Sequence, residues 1–431
     1  MFQLALALAA QAAAPAPSVS APDTVLVTAD RMLDVAQGRY VERPAILVRG
    51  GRIVQVGTQG RLAAPAGARR VDLPGRTLVP GLIDMHVHLD GTPLIGGYRT
   101  LEYTDSFDIV LGVPNAKATL DAGFTTVRSL GAPAYTDVAL RQAIDEGFIP
   151  GPRIVAATFA IGATGGHCDQ NTNRPSLART SPGVADGPEA VRQKVRELRK
   201  LGAQVIKVCA TGGVFSRNTD PGAQQMTEAE LRMAADEAHM LGMKVAAHAH
   251  GADGIKAAIR AGVDTIEHVS FIDAEGIRLA KERGTFLGFD VYNTEYTLAE
   301  GAKNGVLPEN IEKERRVGTL QRENFRAAVR GGARHIFSTD AGIYPHGQNA
   351  RQFAVMVRFG MTPLEAIRSA TLNAAEALGR SGDVGQIAAG RFGDMVAVTG
   401  DPLSDVRVLE RPDAVIKGGV VVKGAESAPA R

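Results

Sequence analysis

Tryptophan is missing from this 431-residue chain, cysteine occurs only twice, and the formal net charge is just +2. Two cysteines, Cys168 and Cys209, are too few for a disulfide framework or a Cys-rich zinc site. At most they form one bridge, and two unpaired thiols are the expectation. The 48 basic and 46 acidic residues are spread along the chain. No run of Lys and Arg makes a nucleic-acid track, so that partner class is set aside. No segment reaches the ~18 uninterrupted apolar residues of a membrane helix. Positive charge is also missing before Arg31, although Leu4 to Ala14 is an apolar Leu/Ala stretch followed by Ala-x-Ala steps. That stretch suits the core of a secretory leader over residues 1–21 and is too short to span a bilayer. Without the usual charged start, an Ala/Pro-rich tail is the alternative. The expectation is an exported protein, periplasmic or secreted.

What is present is ample apolar material, 45% of residues, with charged residues at 22% and 49 glycines. That composition supports a sizeable core and many tight strand-to-helix turns, and argues against wholesale disorder. Residues 22–80 read as short strands punctuated by Gly, Pro and Asp, as in "AILVRGGRIVQVG". Residues 381–431 have the same texture, so both ends are expected to build one small β-sandwich. Between them, residues 81–380 alternate strand and helix. Eight candidate strands can be read: "GLIDMHVH", "FTTVRSL", "RIVAATF", "VIKVCA", "KVAAHAH", "TIEHVS", "TFLGFDV" and "HIFSTDAG". Helical patterns such as "PEAVRQKVRELRKLG" separate them and end in Gly, as helix C-termini should. The fold class is therefore α/β, a (β/α)8 TIM-type barrel carrying the small β-sandwich. A doubly wound open sheet is disfavoured, because no Gly-rich phosphate fingerprint follows the first strand.

Chemistry concentrates at strand ends. His86 and His88 sit two apart, so both imidazoles leave the same face of the first barrel strand. Paired neutral imidazoles suit Zn²⁺. Lys207 interrupts the apolar strand "VIKVCA", where an unpaired ammonium is costly to bury. His248 ends "KVAAH", His268 lies in "IEHVS" and Asp340 ends "IFSTD". In a (β/α)8 barrel the C-terminal strand ends line the active-site face, so these six side chains converge at one mouth. His250 shares strand parity with His248, and periodicity does not choose between them. His239, on an amphipathic helix, and His335, entering the last strand from the far end, read as structural.

These motifs resemble the amidohydrolase superfamily. The resemblance rests on "GLIDMHVH", the strand Lys, "HAHG", "IEHVS", "STDAG" and the closing "GQIAAGRFGDMVAV". Within it, "TGGH", "ATGGVFS" and "VAAHAHG" are most similar to the imidazolonepropionase-like branch with Xaa-Pro dipeptidases and related metallocarboxypeptidases. Bacterial ochratoxin-hydrolysing amidohydrolases are also similar. The resemblance implies two divalent metal ions, expected to be Zn²⁺, one held by His86, His88 and Asp340 and the other by His248 and His268. It prefers His248 over His250 and makes Lys207 a bridging carbamate formed with CO₂. Asp340 would be the catalytic proton shuttle. His167 would meet the substrate near the scissile bond, with Tyr292 a weaker substrate contact. Tyr344 and His346 are further candidates for lining the pocket. Imidazolonepropionase is mononuclear and lacks the strand Lys, so Lys207 argues against that activity. A homo-oligomer is the branch's usual state.

The function implied is hydrolysis of the amide bond of dipeptides or N-acyl amino acids with a free carboxylate, ochratoxin A included. The partner is thus a small amide or peptide. Two divalent ions outweigh the carbamate, Asp340 and a hydroxide, leaving a pocket that favours an anionic substrate. Arg217 and Arg351 fall in loops where a guanidinium could grip a carboxylate. The alternatives are a lactonase, esterase or cyclic amidase on the same metals, and a barrel pseudoenzyme. The last fits poorly with six intact ligands.

Overall fold

The computed structural model describes residues 24–177 and 179–424. The expected leader at 1–21 lies outside the described residues. Strands β1 (Thr24–Asp34), β2 (Arg39–Glu42), β3 (Pro44–Arg49), β4 (Arg52–Thr58) and β5 (Arg69–Pro80) come first. The middle of the chain then supplies β6 (Leu82–Val87), β7 (Phe124–Ser129), β8 (Arg153–Ala156) and β9 (Val205–Cys209). It continues with β10 (Lys244–Ala249), β11 (Thr265–His268), β12 (Phe286–Gly288) and β13 (Arg334–Ile336). Last are β14 (Met395–Thr399), β15 (Ala414–Lys417) and β16 (Val420–Lys423).

Both chain ends share one eight-stranded sheet, ordered β16-β15-β14-β5-β1-β3-β4 with β2 on β1. The junction is the antiparallel pairing of β14 with β5, Met395 opposite Pro80. Alternate residues of these strands, among them Val25, Val27, Ile46, Val48 and Met395, bury a core of their own.

All eight central strands read from the sequence are present, and their pairings are parallel. They form two sheets, β6-β7-β8 and β9-β10-β11-β12-β13, rather than one closed ladder. Backbone hydrogen bonds nevertheless cross both seams. At one, Ile161 N donates to Lys207 O and Cys209 N to Ile161 O, each at 2.8 Å. At the other, Met85 N donates to Phe337 O and Asp340 N to His86 O, also at 2.8 Å. This is consistent with a TIM-type barrel whose regular ladder gives out where candidate site residues leave the strands. The intervening helices are set by local signals. Thr227 and Glu230 form a capping box that starts Glu228–Met240. Ala252–Ala261 ends on Gly262, whose φ of 92° is left-handed and disfavours a Cβ. Among the described residues, no helix is long and apolar enough to cross a membrane.

Inside the barrel the largest fully buried side chain is Arg128. Its Nε donates to Met85 O at 2.6 Å, Nη1 to Thr265 Oγ1 at 3.1 Å, and Nη2 to Glu267 Oε1 at 2.6 Å. Glu267 is buried as well, so β7 is tied to β11 by an ion pair beneath the site.

Candidate metal centre

The strand ends bring the six sequence-derived ligands to one cavity of about 190 Å³. His86 Nε2 and His88 Nε2 lie 3.3 and 3.1 Å from Asp340 Oδ1. Lys207 Nζ is 3.4 Å from His86 Nε2. Ligands ~2.0–2.1 Å from a tetrahedral ion sit roughly 3.3–3.4 Å from one another, so these separations could accommodate a shared cation. Three overlapping triads have their ligand atoms within 4.8 Å: His86, His88 and Asp340; His248, His250 and His268; His268, Asp290 and Asp340. Both histidines of "HAHG" thus remain within reach of the second position.

The ring nitrogens are oriented by acceptors behind them. His88 Nδ1 lies 2.9 Å from Gly131 O, which can only accept, so Nε2 is the nitrogen turned toward Asp340. His248 Nε2 faces Gly212 O at 3.0 Å, which frees Nδ1. His268 Nδ1 faces Asp290 Oδ2 at 3.1 Å, which frees Nε2. Electrostatics put His86, His248 and His250 in ligating form and hold His88 and His268 toward the protonated form. Burial, reinforced by neighbouring positive charge, holds the imidazoles of His86, His248 and His250 well below the usual range, so they are neutral. Burial also lowers His88 and His268, but their carboxylate partners Asp340 and Asp290 outweigh it and raise both. Burial alone would raise Asp340, yet the surrounding histidines bring it down to about 2. Burial brings the Lys207 ammonium down to about 8, against the charges of Glu267 and Asp340. The donor set still fits a divalent ion: three neutral imidazoles, an ionised carboxylate, an amine eased toward neutrality, and two carboxylate-paired imidazoles that would release a proton on binding one.

Backbone strain marks the same residues. His268 and Asp340 adopt φ of 70° and 58°, a left-handed region that non-glycine residues rarely occupy. Asp84, fully buried, braces this corner. Its carboxylate accepts from Thr339 Oγ1 at 2.6 Å, Asn349 Nδ2 at 2.8 Å and the amides of His86 and Thr339.

His167 also lines the cavity, stacked on His248 with ring centroids 4.1 Å apart. Its Nδ1 lies 2.8 Å from Ser216 Oγ. Desolvation, with the charges of His268 and Lys207, pushes this imidazole down to about 3. Tyr292 lies elsewhere: its hydroxyl accepts from Arg351 Nη1 at 3.0 Å, and both border a separate surface hollow. Tyr344 is buried against Tyr292, and His346 is held by Thr119 and the His88 carbonyl; neither lines the cavity. Arg217 borders a neighbouring hollow that shares Phe215 and Ile343 with the cavity, and it pairs with Glu309 and Tyr98. His239 pairs with Asp264 near the protein surface. His335 is buried outside the cavity.

The expectation of two free thiols is overturned. Cys168 and Cys209 are joined, with Cα atoms 6.1 Å apart, inside the span a disulfide needs. Sequence reasoning also missed Asp290, Asp84 and Gln321. Asp290 ends "LGFD" much as Asp340 ends "IFSTD", and Asp84 shares strand parity with His86 and His88. Gln321 donates to Asp290 Oδ1 at 2.6 Å from a long helix, Pro308–Arg330, and carries no such local signal.

A family profile described as the Amidohydrolase family matches residues 77–422. The ochratoxinase of Aspergillus niger is 34% identical over 378 residues, covering 82% of this chain and 77% of that protein. The imidazolonepropionase of Streptomyces coelicolor is 27% identical over 419 residues, covering 93% and 96% of the two chains. A crystal structure of a Xaa-Pro dipeptidase with methionine bound in its active site superposes with a TM-score of 0.87 at 35% identity. That match covers 93% of this chain and all (100%) of the other.

Proposed function

Because the chain belongs to the amidohydrolase family, and is a hydrolase, we propose that it cleaves the amide bond of dipeptides or N-acyl amino acids bearing a free carboxylate, using two divalent metal ions. The observation that carries the reading is the set of overlapping ligand triads around Asp340 and His268, with Lys207 beside them. One ion would be held by His86, His88 and Asp340, the other by His248 and His268, with His250 in reserve. Lys207, its neutral amine adding to CO₂ with loss of a proton, would offer a bidentate carbamate to both. Zn²⁺ suits this nitrogen-rich set. When bound, the ions supply Lewis acidity, polarising the scissile carbonyl and making water acidic enough to deprotonate near neutral pH.

The protein's own residues would do the rest. Asp340 is ionised and anchored through its backbone N–H to His86 O. It would take the proton of the attacking water and return it to the leaving amine. His167, a neutral imidazole at the cavity wall, would contact the carbonyl side of the scissile bond. The choice of substrate rests on the relatives: an ochratoxinase and a Xaa-Pro dipeptidase are about one-third identical to this chain. Ochratoxin A is a fitting test substrate, and Arg217, in the hollow next to the cavity, is a carboxylate anchor to probe. The deciding experiment compares an N-acyl amino acid with its C-terminal amide, which keeps the scissile bond but lacks the carboxylate. The acid should be strongly preferred in kcat/KM. Equal values would sink the substrate class, and turnover of lactones alone would reassign the site.

A further inference from the structure

His167 reaches the metal residues from the loop after β8, not from a strand. The loop has polar ties: Thr164 bonds to Asp186 at the surface, Asp169 accepts from Gly165 N and Ser181 N, Asn171 Nδ2 donates to Gly165 O and Gly166 O, and Ser216 Oγ lies 2.8 Å from His167 Nδ1. Beside His167, the Gln225 side chain accepts from its backbone N–H at 2.8 Å. The covalent tie is one residue further on. Cys168 is bonded to Cys209, which is two residues past Lys207 and opposite His248 in the pairing of β9 with β10. Both sulfur-bearing residues line the cavity. The bridge also crosses the seam between the two parallel sheets, where isolated backbone bonds join Ile161 to β9 and Gln204 N to Ala156 O. Space is cut to fit it: a Cβ on Gly162 would stand 2.9 Å from Cys168 Cβ.

We propose that the Cys168–Cys209 disulfide is a positioning element for turnover, holding His167 against the metal residues, and that its reduction lowers kcat by releasing that loop. The inference rests on the reading of His167 as a substrate contact. A bridge of this kind persists in an oxidising compartment and is lost in a reducing one. Displacing a catalytic contact by about 1 Å costs on the order of a hundredfold in rate, while substrate affinity need not follow.

The experiment uses the metal-loaded full chain and a water-soluble phosphine. The phosphine takes oxygen from water, becomes the oxide, and leaves two thiols in place of the S–S bond. Reduction, verified by thiol labelling, should lower kcat about tenfold to a hundredfold with KM little changed and metal content constant. Reoxidation should restore it. Cys168→Ser/Cys209→Ser should sit at the reduced level and ignore the phosphine, and His167→Ala should lose its response to reduction. Amide hydrogen exchange over residues 163–172 should quicken on reduction, a readout that needs no substrate. Should N-acyl amino acids prove not to be substrates, the substrate reading fails while the exchange readout and the true substrate's kcat still judge the bridge. Full kcat after verified reduction, or unchanged exchange, would overturn the proposal. So would full activity in the double serine variant, which would trace the loss to thiolates capturing metal.

Discussion

Replacing Glu267 by Ala tests the account of the barrel interior. The change removes the carboxylate facing the Arg128 guanidinium, whose side chain is 0% exposed, and leaves Met85 O and Thr265 Oγ1 as its remaining partners. Breaking a buried pair from one side costs about 3–5 kcal/mol, because the orphaned charge stays desolvated. At ~2.1 cal/mol/K per residue, roughly 400 folded residues give an unfolding entropy near 0.8 kcal/mol/K, so Tm should fall by about 4–6 °C. Glu267 Oε2 also lies 3.5 Å from His86 Nδ1, so metal affinity should weaken alongside. Scanning calorimetry at one fixed scan rate is the assay. The double variant Arg128→Met/Glu267→Leu should recover most of the loss, since it removes both charges and refills the space. A Tm within about 1 °C of wild type for Glu267→Ala, or a double variant no better than the single, would refute the reasoning.

Asp340→Asn should keep much of its metal while turnover falls by about 10²–10⁴, because the amide cannot take the water's proton; metal analysis with kcat checks it. Gly213→Ala should lower kcat about tenfold or more at constant metal content, since its Cβ would stand 2.3 Å from the His167 ring. Asp137 gives a pH test away from the metal residues: burial raises its carboxyl to about 6, against the Thr158 and Val138 amides that it accepts from. Between its unfolded value near 4 and about 6 the folded protein holds a proton that the unfolded chain lacks. Stability from this group is therefore present below that window and falls as pH rises through it. The Tm of Asp137→Asn minus that of wild type should then climb between pH 4 and 7, whatever hydrogen bond the amide gives up.

Period-2 alternation was enough to pair His86 with His88 and to place Lys207 on a barrel strand, because parity is a local property. The eight strands were legible for the same reason: apolar runs bounded by Gly and turn residues. Parity failed where two residues share it, as His248 and His250 do, and the structure keeps both within ligand reach. Tyr292 shows the opposite limit. It follows a strand end as expected, but its hydroxyl turns to Arg351 on a helix 59 residues on, a contact that no local pattern encodes. Gln321 behind Asp290, and Arg128 against Glu267, are likewise meetings of distant segments. The bridge between Cys168 and Cys209 depends on where the segment after β8 carries Cys168, which composition does not fix.

Metal content is the direct test of the central claim. The full-length protein, purified without chelator and measured by plasma mass spectrometry, should carry about two divalent ions per chain. Lys207→Ala should lose metal and activity together, and added short-chain carboxylates, which can stand in for the missing carbamate, should restore part of both. A wild-type protein active with no more than one ion, or a Lys207→Ala variant with full metal and full activity, would contradict the two-metal carbamate site.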